Sequence, residues 1–116
     1  MWNSLFEEET LAAGTYWSDR SPGLNGALTL YDQRTVHAFD IELTGDGTIA
    51  ITPYTSITGK TWVNNGAKLS GFGKTDGPDG DGIQGVPMSL IPGNLIRFKV
   101  VVSSAEVVLS MGFTQK

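Results

Sequence analysis

Two stretches near the C-terminal end of the chain alternate between apolar and other residues with a period of two. The first covers residues 94–103, and after a short polar link the second covers residues 106–113. Because successive side chains of a strand point to opposite faces of a sheet, each stretch predicts a strand with one face for a core, and the link predicts an antiparallel hairpin. The predicted inward rows are Ile96, Phe98, Val100 and Val102, followed by Val107, Leu109, Met111 and Phe113.

The middle of the chain repeats this pattern. Residues 36–44 and 48–56 alternate in the same way and flank an Asp-Gly turn at 46–47, which strongly favours a hairpin. Pro53 has no N–H for a ladder hydrogen bond, so we expect its strand at a sheet edge or with a bulge. Shorter strand patterns occur at residues 10–13, 15–18, 27–31, 60–63, 68–72 and 86–91. Together they predict an all-β domain over residues 10–116, a two-sheet antiparallel sandwich of jelly-roll type with about eight short strands.

The first nine residues stand outside this pattern. Trp2, Leu5 and Phe6 share one helical face and precede or adjoin three consecutive glutamates, Glu7 to Glu9. Residues 1–9 are either a frayed terminus or an N-terminal arm whose apolar side chains dock on a neighbouring subunit. We retain the docking arm as the hypothesis, with these three apolar residues as interface candidates.

Three apolar residues lie in the outward rows of the C-terminal hairpin, where a solvent-facing row is normally polar. They are Leu95, Val101 and Val108. Either another segment of the domain covers them or they belong to a subunit interface. The second interpretation predicts a homo-oligomer.

Composition narrows the class of protein. The chain has 116 residues, enough for one core, and it contains no cysteine, which excludes disulfides and thiolate metal sites. Its formal net charge of −4 does not suit a nucleic-acid-binding protein, which needs a basic face. No apolar run is long enough for a membrane helix, and the early glutamates do not fit a secretory signal, so we expect a protein made in the cytoplasm without export and without membrane partners.

A loop rich in glycine and aspartate is the strongest candidate for metal binding. Asp76, Asp79 and Asp81 lie within six positions, and carboxylate oxygens are ligands for calcium. The spacing does not match an EF-hand, because Leu90 stands where a loop beginning at Asp79 needs a bidentate glutamate. Turn chemistry explains the loop better, so we predict no metal and no cofactor.

Residues for catalysis are sparse. His37 is the only histidine, and strand alternation places it on the opposite face from Asp40. Asp40 and Glu42 share a strand face, as a pair of glycosidase carboxylates could. The simpler explanation is that this face is the solvent side of an amphipathic strand. We therefore predict a protein that is not an enzyme.

Three aromatic residues support an alternative function. Trp17, Tyr54 and Trp62 are candidates for stacking on sugar rings, which would make the chain a carbohydrate-binding module with or without calcium. Tryptophan is largely buried on average, so we expect at least one of the three in the core.

The order of several segments resembles a known group of proteins. Leu-Ala-Ala-Gly at 11–14, Thr-Gly-Asp-Gly-Thr at 44–48, Tyr-Thr-Ser at 54–56, Lys-Thr-Trp-Val at 60–63 and the run from Pro-Gly to Ile-Arg-Phe-Lys-Val at 92–100 follow one another. This arrangement resembles small β-sandwich structural proteins of tailed bacteriophages. Two features depart from that pattern: Ser-Ile-Thr-Gly at 56–59 replaces a Ser-x-Asp-Gly turn, and nothing there corresponds to residues 1–9.

The resemblance implies a non-enzymatic component of the virion. Such a protein would be a capsid decoration or cement subunit, or a head-to-tail or tail accessory. Its partners would be other virion proteins and copies of itself.

Overall fold

The computed structural model describes residues 2–18, 28–29, 36–58, 60–87 and 95–115, with side chains for 5–18, 38–58, 60–87 and 95–113. Within these residues there are ten strands and no helix long and apolar enough to cross a membrane. The strands are β1 (Trp2–Leu11), β2 (Gly14–Trp17), β3 (Leu28–Thr29), β4 (Val36–Gly45), β5 (Thr48–Ser56), β6 (Val63–Asn64), β7 (Leu69–Phe72), β8 (Ile83–Pro87), β9 (Leu95–Ser103) and β10 (Val107–Gln115).

The strands form two antiparallel sheets. Sheet A has the order β1-β10-β4-β8, and sheet B has the order β2-β9-β5-β6, with β3 also on β9 and β7 also on β5. Strands from the two halves of the chain pair in reverse sequence, so that β1 meets β10, β2 and β3 meet β9, β4 meets β8, and β5 meets β6 and β7. That is one long hairpin folded over into two sheets, which is the jelly-roll arrangement. The predicted all-β sandwich is confirmed.

Proline explains why one outer strand of sheet B is divided. The carbonyl oxygen of Pro53 accepts a hydrogen bond from the N–H of Asn65 at 3.0 Å, so the main-chain groups of Pro53 point away from β9. Proline supplies no N–H on that side, and the outer neighbour of β5 is correspondingly split into β6 and β7. Of the two alternatives expected for this strand, the edge position is wrong, because β5 lies inside sheet B. An irregularity is present two residues before Pro53, where the register of β5 with β7 shifts between Ile49 and Ile51.

The N-terminal residues are part of the sandwich. Trp2–Leu11 pairs with β10 along its length, and Leu5 and Phe6 are both buried in the core. The predictions of a separate arm or a helical turn over residues 1–9 are wrong for the described part, and Leu5 and Phe6 are core residues instead of interface residues. The side chain of Trp2 lies outside the described part.

The core fills the space between the two sheets. The rings of Phe39 and Phe98 meet across the sandwich with centroids 5.7 Å apart, and Phe98 packs on Phe113 at the same centroid distance. All eight residues of the predicted inward rows are buried, which confirms the inward face of each of these two strands. The predicted hairpins are wrong, because β9 and β10 lie in different sheets and do not pair with each other, and the same holds for β4 and β5. The inward rows face each other across the core instead of lying side by side, and alternation alone does not distinguish these two arrangements.

Two turns that connect one sheet with the other approach each other closely at one end of the sandwich. A Cβ placed on Gly47, in the turn between β4 and β5, would collide with the carbonyl oxygen of Ala105 in the turn between β9 and β10. Gly45 has a φ of 101°, which favours glycine, and it meets Glu106 and Val107 in the same way. Glycine is required here because the backbones touch.

Candidate functional site: the outer face of sheet B

An arginine lies between two tryptophans on the outer face of sheet B. The guanidinium carbon of Arg97 is 4.1 Å from the ring centroid of Trp17 and 4.5 Å from that of Trp62. Both distances are within the range of a cation–π interaction. Tyr54 completes the group, with its ring 5.3 Å from that of Trp17 and inclined at 62°. We call these four residues the aromatic cluster.

Strand register brings the cluster together from four segments of the chain. Tyr54 is directly opposite Arg97 in the pairing of β5 with β9, and Trp17 is opposite Lys99 in the pairing of β2 with β9. Trp62 immediately precedes β6, which pairs with β5 beside Tyr54. The cluster therefore spans the width of sheet B.

Hydrogen bonds at its borders hold the cluster in place. The N–H of Ser18 donates to the carbonyl oxygen of Phe98, and the N–H of Phe98 donates to Oγ of Ser18, both at 2.9 Å. These bonds fix the end of β2, and so Trp17, against β9. On the other side, Nδ2 of Asn64 donates to Oη of Tyr54 at 3.3 Å.

The three aromatic side chains predicted to stack on ligands share this face. Trp17, Tyr54 and Trp62 are each half-buried, so the expectation that at least one belongs to the core is wrong. Arg97 fills the space between the tryptophan rings and covers one face of each. Sequence reasoning did not find Arg97, although its place in an outward row between apolar residues was the available signal.

The surroundings of the cluster are cationic and apolar. The outward row of β9 consists of Leu95, Arg97, Lys99 and Val101, all half-buried. Nζ of Lys99 is 6.0 Å from the ring centroid of Trp17. Val101 is opposite Thr15 and Ala50 on the neighbouring strands, and both of these side chains are small. The interface role predicted for Leu95 and Val101 stays a prediction.

The opposite side of the molecule carries an acidic groove. A depression of about 600 Å³ crosses the outer face of sheet A, and Glu7, Glu8, Asp40 and Glu42 line it. No lysine or arginine of the described chain is among its lining residues. We call this depression the acidic groove.

Glycines and a bulge shape the acidic groove. Asp40 is opposite Gly112 on β10 and Gly85 on β8, neither of which has a side chain, and the Asp40 carboxylate lies over Gly85. On β1 the register shifts between Phe6 and Glu9, and Glu8 has a φ of 47°. A hydrogen bond from the N–H of Glu8 to Oγ of Ser110, at 3.0 Å, ties this bulge to the groove floor.

Val108 lies on the same sheet face as the groove. It is half-buried, and its neighbours in register are Thr10 and Thr44. Its predicted interface role also stays a prediction. The side chain of His37 lies outside the described part.

The aspartate loop uses its carboxylates to hold its own backbone. Oδ2 of Asp76 accepts a hydrogen bond from the N–H of Gly73 at 2.7 Å, and Oδ1 of Asp81 accepts one from the N–H of Ile83 at 3.3 Å. Over the described ranges, no three His, Cys, Asp or Glu side chains converge as ligands for a metal ion. The carboxylates of Asp76 and Asp81 act here as those of turn residues, and Asp79 lies exposed between them.

Comparison of the chain with protein-family models gives no match, and comparison with curated protein sequences gives none either.

Proposed function

We propose that this chain is a non-enzymatic structural protein of a tailed-phage virion, either a capsid decoration or cement subunit or a head-to-tail accessory. The outer face of sheet B is the surface by which it docks on its neighbours. The observation that carries this proposal is the aromatic cluster, in which Trp17, Trp62 and Tyr54 surround Arg97 in half-buried positions.

Residue type links this cluster to protein docking. Trp, Tyr and Arg are the residues most enriched among those that dominate the energy of protein–protein interfaces. A ring already packed on a guanidinium is held in position, so little side-chain entropy is lost when a partner covers it. The resemblance to virion proteins adds the assembly context and names the class of partner.

The direct test is whether the chain is a stoichiometric part of the particle. Mass spectrometry of gradient-purified particles of a phage that carries this gene is expected to detect the chain at many copies per virion. Particles without the chain are then expected to bind the purified protein in co-sedimentation. Trp17→Ala/Trp62→Ala should abolish that binding, whereas Glu106→Ala, at the exposed turn between β9 and β10, should not. Absence of the chain from purified particles would reject the proposal.

Carbohydrate binding is the second candidate, and one observation favours it. The three aromatic side chains proposed to stack on sugars lie together on one sheet face. Arg97 weighs against it, because the guanidinium occupies the ring faces that it contacts, and a sugar needs such a face. Tryptophan fluorescence titrated with a glycan panel distinguishes the two functions: saturable quenching by a glycan supports the module, and a flat titration removes it.

A further inference from the structure

We propose that the acidic groove of one copy receives the outer face of sheet B of the next, so that the chain assembles face to back. The inference deepens the proposed function and rests on it only in using the same face of sheet B for docking. In every copy after the first one on a particle, it names the partner of that face as the preceding copy of this chain.

The two surfaces lie on opposite sides of one molecule. The two sheets pack through their inward rows, so the outward rows point in opposite directions. Asp40 and Glu42 stand on the outer face of sheet A, and Arg97 and Lys99 stand on the outer face of sheet B. A copy placed behind another therefore brings opposite charges together, whereas face-to-face pairing of either side with itself brings like charges together.

Shape and polarity agree with charge. The groove is a recess whose lining includes Gly112, which has no side chain, and the apolar side chain of Ile83, which is 47% exposed. The outer face of sheet B presents the flexible cation of Lys99 beside aromatic rings. A lysine side chain can enter the recess and reach a carboxylate, while the rings cover apolar surface.

Symmetry follows from the use of two different surfaces. An interface between unlike patches is heterologous, so it repeats from copy to copy and gives a ring if the rotation closes and a filament if it does not. The structure therefore predicts assemblies larger than a dimer, growing with protein concentration and weakening with salt.

Sedimentation velocity on charge-reversed chains tests the proposal. Asp40→Lys/Glu42→Lys reverses the groove, and Lys99→Glu reverses the facing cation. Each variant alone is expected to lose at least about tenfold in association constant relative to the natural sequence, because like charges then meet. An equimolar mixture of the two variants is expected to associate again, since the reversed groove of one matches the reversed face of the other.

Matched controls separate surface charge from total charge. Asp79→Lys/Glu106→Lys changes the net charge by the same amount as the groove variant, and Lys74→Glu matches Lys99→Glu. These control positions are exposed, do not line the groove and do not belong to β9. These controls are expected to associate like the natural sequence. Circular dichroism of the tryptophan bands checks that each variant is folded.

Three results would overturn the inference: a natural chain that stays monomeric at every concentration, association that both reversals leave unchanged, or a mixture that associates no better than its components. A monomer that is still a stoichiometric virion component would refute only the stacking. Stacking by a chain absent from virions would refute only the proposed function.

Discussion

The ring of Phe98 in sheet B meets the ring of Phe39 in sheet A edge to face, with an interplanar angle of 62°. Both rings are fully buried. This contact joins the two sheets at the centre of the core, so its loss leaves a cavity that the surrounding strands can only partly close.

Phe98→Ala is expected to lower the free energy of unfolding by about 3–5 kcal/mol, because it removes buried apolar surface and leaves that cavity. Chemical denaturation of the two proteins measures the difference. Phe98→Leu keeps most of the volume and should cost clearly less. If Phe98→Ala lowers the free energy of unfolding as little as Phe98→Leu does, the surrounding strands close the cavity freely.

Gly47→Ala is expected to destabilise the protein by about 1–3 kcal/mol, because the new methyl group meets the Ala105 carbonyl and one of the two turns must move. Gly73→Ala is the matched control. Neither glycine has the positive φ that favours glycine, and a Cβ at Gly73 meets its nearest atoms at an ordinary 3.6 Å. Thermal melts of both variants measure the difference in stability. A melting temperature of Gly47→Ala equal to that of the natural sequence would contradict the close approach of the two turns.

The pKa of Asp46 provides a test of the surface electrostatics. Nζ of Lys74 donates a hydrogen bond to Oδ1 of Asp46 at 2.7 Å, and this bond, aided by the lysine charge, holds the pKa of the carboxyl below its ordinary value. A carboxyl whose folded pKa is lowered stabilises the fold above its ordinary pKa of about 3.9 and loses that contribution as the pH falls through the lowered value.

Lys74→Met is therefore expected to raise the pKa of Asp46 towards its ordinary value. NMR titration of the Asp46 carboxyl measures the change, and Lys68→Met serves as a control that keeps the ion pair. The acid-side loss of stability tied to this pair should shrink in Lys74→Met and also in high salt, because both residues are exposed. An Asp46 pKa that is the same in all three proteins would refute the assignment.

Removal of divalent cations is expected to leave the melting temperature unchanged. The carboxylates of Asp76 and Asp81 already accept backbone hydrogen bonds within their loop, so the loop does not need an ion to hold its shape. A melt with a chelator, compared with one in added calcium, measures this. A drop of several degrees with the chelator would restore calcium binding as part of the carbohydrate alternative.

Strands β9 and β10 could be predicted from the sequence because each keeps an unbroken period of two, whereas the sheet that each strand joins could not. Residues 95–103 and 107–113 have one buried row each, and burial of one face specifies register strongly. The Asp-Gly turn between β4 and β5 was predicted for a local reason too, but it connects the two sheets instead of closing a hairpin within one. Strands β4, β5, β9 and β10 are the four central strands of the sandwich, two in each sheet.

The first strand was missed because its bulges hide its period. Register shifts on either side of Phe6 let the neighbouring residues Leu5 and Phe6 both face the core, and no alternating pattern contains such a pair. Three glutamates then follow, of which Glu7 and Glu8 line the groove on the solvent side. A run of that kind looks like a solvated terminus unless the pairing with β10 is known.

The aromatic cluster could be predicted only in part. The residue types were visible, but Trp17 and Arg97 are eighty positions apart, and their contact depends on the pairing of β2 with β9. No local pattern reports that pairing. The two outer faces carry opposite charges, and this too depends on which strands share a sheet, which no local pattern reports.

The divided strand beside Pro53 has a consequence for how copies of this chain can meet. Both borders of each sheet in the described fold are short, split or irregular. In sheet A they are the bulged β1 and β8, which ends in Pro87, and in sheet B they are β2 with β3 and β6 with β7. Such borders offer no continuous row of free backbone groups, so they resist the strand addition that leads to amyloid-like aggregation. In the proposed face-to-back assembly, copies would therefore meet through side chains instead of through strand edges.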